Sequence, residues 1–305
     1  MKILITGYQG FVGQEFWKLL KEQGHDLIGI DIKDQSSCIA CLNDPSRAST
    51  HDARDFFRED NTYFDLVIHL AAVVGGRLTI EGSPLSVAVD LAIDSELFQW
   101  ALRTRPGRIV YYSSSAAYPV ELQARDWHSD LSEDDIDLSN IDTPDLTYGW
   151  AKLTGEMLAQ YAEAEGLRVH VFRPFSGYGE TQSLDYPFPS FIKRGAEKHE
   201  FFEVWGDGEQ VRDFIHINDV VEATLEAVRQ DVPGPVNLGT GRPTAFNTLA
   251  QLVMAQAGYS GEITHRQAAP VGVHYRVADI TKMRSFYTPK ITLEEGINRA
   301  LLRYK

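Results

Sequence analysis

Tyr148 and Lys152 lie four residues apart in the segment Tyr148-Gly149-Trp150-Ala151-Lys152. On an α-helix this spacing stacks two side chains on one face, about 6 Å apart at their bases. A phenol titrates near 10, too high for a base at neutral pH, but a neighbouring ammonium favours the phenolate. The pair can therefore work as a general acid/base. Taken alone, Y-x-x-x-K is common, and an ordinary i,i+4 pair on a solvated face is the better explanation of it. A serine triplet, Ser113-Ser114-Ser115, follows an apolar run at 108–112 and ends where a strand would place hydroxyls beside such a pair. An ordinary turn is the simpler reading of serines in that setting.

A second constellation opens the chain. Thr6-Gly7-Tyr8-Gln9-Gly10-Phe11-Val12-Gly13 stands between an apolar run and a helical pattern. Gly7 suits a tight turn, Gly10 a close approach to a pyrophosphate, and Gly13 the packing of helix on strand. The helix N-terminus then offers free N–H groups and a positive dipole end to phosphates. Asp31 ends the next apolar run, where a carboxylate accepts hydrogen bonds from ribose hydroxyls and repels a 2′-phosphate. NAD is expected over NADP, although Lys33 stands close enough to pair with a phosphate.

Elements to hold these groups follow from the apolar pattern. Residues 2–6 form a short run ending in glycines, as a buried parallel strand does. Residues 11–23 have helical spacing with Phe11, Phe16, Leu19 and Leu20, and Gly24 stops them. Further strands are expected at 26–30, 65–70, 108–112 and 168–173, with helices at 84–104 and 147–165. This alternation predicts an α/β fold, a Rossmann-like doubly wound parallel sheet. Beyond Arg173 the pattern loosens. Residues 211–217 read as a strand, 219–229 as a helix capped by Asn218 or Asp219, and 237–241 as a return to the sheet. From about Thr244, a helix and a short strand or two are expected. The resulting division is a cofactor-binding unit over 1–173, with 211–241 returning to it, and a smaller C-terminal substrate-binding lobe from 174–210 and 242–305. The lobe should cover the carboxyl ends of the strands, where ligands bind in open α/β sheets. The acidic stretch 129–140 reads as a solvated loop without function.

Composition limits the partners. The chain has 305 residues and a formal net charge of −14, so it repels nucleic acids and anionic membranes. No apolar run approaches the roughly 18 residues that span a bilayer, and the N-terminus has no secretory pattern. A cytoplasmic location is the expectation. Cys38 and Cys41 have C-x-x-C spacing, but a structural zinc needs four ligands and there is no second pair. They read as reduced thiols, and no metal is expected.

The glycine spacing T-G-x-x-G-x-x-G resembles that of the extended short-chain dehydrogenase/reductase family, and further matches follow in order. Asp52-Ala53 resembles the pair that the family places at the adenine. Asp65-Leu66-Val67-Ile68-His69-Leu70-Ala71-Ala72 resembles its fourth-strand motif, with His69 as scaffold. The resemblance covers nearly the whole chain and implies an NAD-dependent nucleotide-sugar epimerase/dehydratase. It implies a cofactor site made of Gly7, Gln9, Gly10, Phe11, Val12, Gly13, Asp31, Asp52, Ala53, Leu70, Ala71, Ala72, Tyr148, Lys152 and Arg173. The family's catalytic Ser or Thr stands four positions before a recurring Tyr, here Tyr118, which points to Ser114. The catalytic set would be Ser114, Tyr148 and Lys152. Arg212, in Arg212-Asp213-Phe214-Ile215-His216, and Arg276 resemble the family's contacts to the substrate diphosphate, where a guanidinium can hold two oxygens at once. Each could instead make a structural ion pair. Val74, Ser115 and Ser176 would also face the substrate; the family usually has Asn where Ser176 stands. Helices 84–104 and 147–165 resemble those that pair between subunits, so a homodimer is expected.

Departures from the family narrow the chemistry. Sugar 4,6-dehydratases carry Asp-Glu where Ser115 and Ala116 stand, and decarboxylases carry Glu at Ala116. A methyl group cannot transfer a proton. GDP-fucose synthase and GDP-mannose 3,5-epimerase resemble the segments 71–76 and 117–119, but they use a Cys at Ala116 and a further acid/base near Tyr186 or Pro187, where none stands. What remains needs only Ser114, Tyr148 and Lys152: epimerisation at sugar C4 through a transient 4-keto intermediate, or a simple dehydrogenase or 4-ketoreductase. A non-catalytic NAD(P)-binding regulatory protein is the alternative from another class. Leu91 also departs from the family, which often has Asn at or beside that position.

Overall fold

The structure is a computed structural model that describes residues 1–33, 48–75 and 77–304; Cys38 and Cys41 lie outside the described residues. The first half alternates as β1 (Lys2–Thr6), α1 (Phe11–Glu22), β2 (Asp26–Asp31), β3 (Ala48–Thr50), α2 (Ala53–Glu59), β4 (Leu66–His69), α3 (Arg77–Gly82), α4 (Val87–Thr104), β5 (Ile109–Tyr112), α5 (Leu146–Ala164) and β6 (Val169–Pro174). There follow β7 (Ser176–Tyr178), α6 (Pro187–Glu197), β8 (Phe201–Trp205), β9 (Val211–His216), α7 (Ile217–Gln230), β10 (Val236–Leu238), β11 (Pro243–Ala245), α8 (Phe246–Ala257), β12 (Glu262–Arg266), β13 (Tyr275–Arg276), α9 (Thr281–Arg284) and α10 (Leu293–Leu301).

Seven strands form one parallel sheet in the order β10-β6-β5-β4-β1-β2-β3. Strands buried on both faces need near-continuous apolar runs, and β1, β4 and β5 supply them; Ile3, Leu4, Ile5, Val67, Ile68, Ile109 and Val110 have no exposed surface. One face packs under α1 and α7, with Phe16, Trp17, Val220 and Phe172 in a single cluster. The other packs under α2, α4 and α5, around Phe57, Leu97, Trp100 and Ala159. The parallel order reverses between β1 and β4, which open the sheet in opposite directions at the glycine loop. Such a switch point is where open α/β sheets bind ligands.

The lobe has its own core of Phe188, Phe191, Phe202, Val253 and Ile297. Here the structure departs from the sequence reading in four places. β9 does not join the large sheet: it pairs with β7, β11 and β13, and the return begins at α7. The cap of α7 is neither Asn218 nor Asp219 but His216, whose Nδ1 accepts the Asn218 N–H at 3.2 Å. Asp219 is instead buried and accepts the Tyr287 hydroxyl at 2.7 Å. The stretch 129–140 is not simply solvated. Leu131 is fully buried and bridges to Ala278, and Glu133 accepts the Asn237 N–H at 2.8 Å. Finally, Ala278, Ile280, Met283 and Tyr287 join the core of the large sheet, so 242–305 is not all lobe. Single anchoring side chains carry these returns, and periodicity cannot register one residue.

Candidate active site

The glycine loop after β1 shows why Gly7 and Gly13 must lack a side chain. Gly7 has φ +71°, and a Cβ there would sit 2.9 Å from the backbone of Leu70 and Ala71. A Cβ on Gly13 would enter the backbone of Gly7 and Tyr8. α1 thus starts against the loop, with Gly10 as its N-cap and no side chain capping it, so its first N–H groups point out for an anion. Phe11 and Val12 stand half-buried in that first turn. Asp31 closes the loop at the end of β2, accepting the N–H of Gln9 and of Lys33, each at 3.0 Å. Its carboxylate keeps lone pairs for a ribose. The Gln9 side chain is spent on the Tyr8 hydroxyl and the Lys33 carbonyl, 3.0 Å each. These features, a cradle that a Cβ would fill and a carboxylate at the strand end, fit a dinucleotide.

Leu70 and Ala71 run past this cradle, their N–H groups directed at the Thr6 hydroxyl at 3.3 Å. Ala72 is half-buried beside them and Val74 is exposed. Asp52 caps α2 and is clasped by Arg54 at 2.6 Å. Ala53 turns its methyl into the core, so only its backbone is left for a ligand.

α5 brings Tyr148 and Lys152 to the end of β5 because two of its residues are glycines. A Cβ on Gly149 would collide with the Ala116 carbonyl, and one on Gly155 with the Tyr111 hydroxyl. Lys152 is 5% exposed, its Nζ 5.7 Å from the centre of the Tyr148 ring and 5.6 Å from that of Tyr111. Burial works against its ammonium, but Tyr148, Asp94 and Asp90 outweigh burial and raise its pKa. Behind it runs a buried chain: the Tyr111 hydroxyl donates to Asp94 at 2.6 Å, Asp94 pairs with His69 at 3.2 Å, and His69 meets the Thr6 hydroxyl at 2.9 Å. Asp90, one turn earlier on α4, accepts the Val73 N–H at 2.5 Å. Its other oxygen is buried without a hydrogen-bond partner among the described residues. Burial pushes the Asp90 carboxyl up to about 6, against the pull of Lys152.

The serine triplet is sorted by its surroundings. Ser113 donates to Glu156. Ser115 is buried. Ser114 is half-buried and caps the following turn, its oxygen accepting the Ala116 N–H at 3.1 Å. No acceptor for its hydroxyl proton is found among the described residues. Ala116 beside it presents a methyl group.

Arg173, expected at the cofactor, is engaged within the protein. It is 1% exposed, holds Glu156 through two bonds at 3.0 and 2.7 Å, and donates to the Tyr118 hydroxyl and the Glu133 carbonyl. Four of its five N–H groups tie β6, α5 and the 131–133 strap together.

Arg212 and Arg276 do come together, as neighbours in the register of β9 and β13, and a residue the sequence reading missed joins them. Arg77, at the start of α3, reaches Asp145 at 2.9 Å, and Arg276 reaches the other oxygen of the same carboxylate at 2.9 Å. Gly272 lies under both Arg77 and Arg212. Burial opposes the Asp145 charge, but Arg276 and Arg77 outweigh it and hold the carboxyl below its usual range. Burial, with Arg276 and Arg77 alongside, pulls the Arg212 guanidinium down to about 9, so it remains a cation at neutral pH without a carboxylate of its own among the described residues. A cleft of about 270 Å³, lined by Gly206, Asp207, Gln210, Val271, Gly272 and His274, comes next to Arg77 and Arg212 at Gly272. Ser176 is half-buried at the start of β7. The one sequence signal for Arg77 was a basic residue just past the fourth-strand motif.

The profile of the NAD-dependent epimerase/dehydratase family matches residues 3–239. The chain belongs to that family. Members that it resembles along nearly its whole length include the UDP-glucuronate 4-epimerase of Thermodesulfobacterium geofontis, 26% identical over 98% of this chain and 94% of that one. The dTDP-4-dehydro-6-deoxy-D-allose reductase of Streptomyces bikiniensis is 28% identical over 92% of this chain and 89% of its own. Among solved structures, the UDP-glucose 4-epimerase of Thermotoga maritima with UDP-glucose superposes with a TM-score of 0.85 at 25% identity, over 100% of this chain and 98% of that one. As a family member the protein is an NAD-dependent enzyme of the nucleotide-sugar epimerase/dehydratase type. No helix among the described residues is long and apolar enough to cross a membrane.

Proposed function

We propose that the protein is a nucleotide-sugar 4-epimerase that works through a transient 4-keto sugar. The observation that carries this is the acid/base inventory at the end of β5: Tyr148 over Lys152, Ser114 with a proton to give, and the Ala116 methyl where another acid would stand. Two of the relatives above act at C4 by name, one as a 4-epimerase and one as a reductase of a 4-dehydro sugar. Tyr148 takes the proton from the C4 hydroxyl and later returns it. Lys152 favours the phenolate by its charge, and Ser114 donates to the same sugar oxygen. NAD would supply reversible hydride acceptance at C4, with inversion when the hydride returns to the opposite face of the sugar. Gly7, Gly10, the first turn of α1 and Asp31 would hold it. Arg212, Arg276 and Arg77 bind the diphosphate, and the cleft beside Gly272 takes the nucleoside.

The reading includes a cytoplasmic homodimer through α4 and α5, whose outer faces expose Leu91, Leu102, Trp150 and Tyr161; light scattering on the purified protein reads the dimer directly. For the reaction, UDP-glucose and UDP-glucuronate are incubated with NAD while absorbance at 340 nm is followed and products are separated. Interconverted sugars without net absorbance, lost in Tyr148→Phe, are expected. Stoichiometric absorbance would favour the 4-ketoreductase reading that the Streptomyces relative supports. Undiminished turnover in Tyr148→Phe would overturn the mechanism.

A further inference from the structure

Asp145 stands where three parts of the site meet. Its carboxylate takes Arg77 on one oxygen and Arg276 on the other, both at 2.9 Å. Its N–H donates to the Ala116 carbonyl at 2.9 Å, within the turn that Ser114 begins. Its carbonyl accepts the Gly149 N–H at 3.0 Å, the bond that starts the helix bearing Tyr148. One residue on, Leu146 has φ +56°, a left-handed backbone that a leucine adopts only when its surroundings impose it. Asp145 is the N-cap of α5, yet its side chain bonds no helix N–H; it is turned to the arginines instead.

We propose that Asp145 is a positioning residue that holds Arg77 and Arg276 in place of the substrate's diphosphate and, through the turn at Leu146, couples those arginines to the placement of Tyr148. The proposal rests on the phosphate role of the arginines given above. Arg77, Arg212 and Arg276 face Asp145 and, at the outer side of Arg77, Glu81. A diphosphate has the same sign as Asp145, so the two compete electrostatically for the same guanidiniums. Arg276 is steadied on its far side by Gln123, whose side-chain oxygen accepts its Nε at 2.6 Å, so it can turn charge towards a ligand without leaving the site. The carboxylate therefore weakens anion binding, while the backbone of the same residue keeps the start of α5 in register with the Ser114 turn. Phosphate binding and proton transfer are joined through one residue.

The test uses the full chain with NAD and inorganic pyrophosphate as the probe. In Asp145→Asn, calorimetry should show pyrophosphate bound three- to tenfold more tightly, because the competing charge is gone. Turnover of the nucleotide sugar should fall at least tenfold in kcat, with KM unchanged or lower. A side chain that only supports the fold would weaken both. Weaker or unchanged pyrophosphate binding overturns the proposal, as does unchanged kcat. If Asp145→Asn does not fold, Leu146→Gly is read instead: kcat should fall threefold or more with pyrophosphate affinity unchanged, and unchanged kcat overturns the coupling. Wild-type protein that binds pyrophosphate but turns over no sugar sinks the epimerase reading and leaves the affinity change in Asp145→Asn to judge Asp145. Wild-type protein that ignores pyrophosphate overturns both.

Discussion

At Arg173 the guanidinium has Glu156 along one edge and the Tyr118 hydroxyl and Glu133 carbonyl along the other. At Arg212 it has the Val211 carbonyl at 2.7 Å, the Val271 carbonyl at 3.5 Å and the Phe246 ring beneath it. Both were expected to contact ligands. The difference lies in where the compensating charge comes from. Arg173 carries its counterion with it, and four of its five N–H donors are bonded inside the protein. Arg212 shares a neighbourhood with two more arginines, and the Asp145 carboxylate there is already divided between those two. The Arg212 guanidinium is half-buried, and charge that is partly withdrawn from water without a counterion is costly; under the proposed function a substrate anion would supply that counterion. Asp90 is the acidic counterpart: one oxygen satisfied, the other bare.

This contrast can be broken most directly at the closed pair. Glu156→Leu strands Arg173 in the core and should cost about 3–5 kcal/mol, read from the urea midpoint. The double variant with Arg173→Met should recover most of it, and a single-variant loss under about 1 kcal/mol would mean that the pair is not closed. Asp90→Asn comes next. A carboxyl whose folded pKa is about 6 instead of 3.8 favours folding while protonated and opposes it once ionised. The neutral amide should therefore stabilise the protein at pH 7 by up to about 3 kcal/mol. The gain shrinks as pH falls through 6 and is gone near 4; a gain independent of pH would show that Asp90 is not strained by its charge. Arg212→Met should weaken binding of a nucleoside diphosphate by about 10- to 100-fold, the worth of a charge-assisted contact. Its unfolding midpoint should hold or rise, and a falling midpoint with intact binding would place Arg212 with Arg173. At the small end stands the exposed pair Arg242–Glu294, at 2.7 Å. Glu294→Gln should change stability by less than about 1 kcal/mol, since water already solvates both partners.

What the sequence disclosed and what it concealed divide along similar lines. β1, α1 and β2 stand within a residue or so of where the apolar pattern put them, and Gly7, Gly13 and Asp31 are legible because a turn, a helix start and a strand end are local matters. Tyr148 and Lys152 are legible for the same reason, being one helical turn apart. The Arg77–Asp145 bond spans 68 positions and the Arg276–Asp145 bond 131; neither partner announces the other. Arg173 looked like a ligand contact because its partner Glu156 belongs to another element, 17 residues earlier. Leu131 is one of three apolar residues in an acidic stretch, and only its pairing beside Ala278 gives it meaning. The spacing to Tyr118 had pointed to Ser114; that Glu156 claims Ser113 is visible only in the fold.

The two glycines that let α5 lie against β5 have a consequence for anyone who would make this enzyme tougher. Glycine inside a helix is ordinarily an invitation: alanine there gains up to about 1 kcal/mol by stiffening the unfolded chain. At 149 and 155 that remedy would backfire. A single methyl at either site would lever the helix off the strand, pulling the phenol and its ammonium away from the serine, and at 155 it would also unseat the hydroxyl that Tyr111 lends to Asp94. Heat resistance has to be sought elsewhere, for instance at Gly82, where an added Cβ meets nothing within 4 Å.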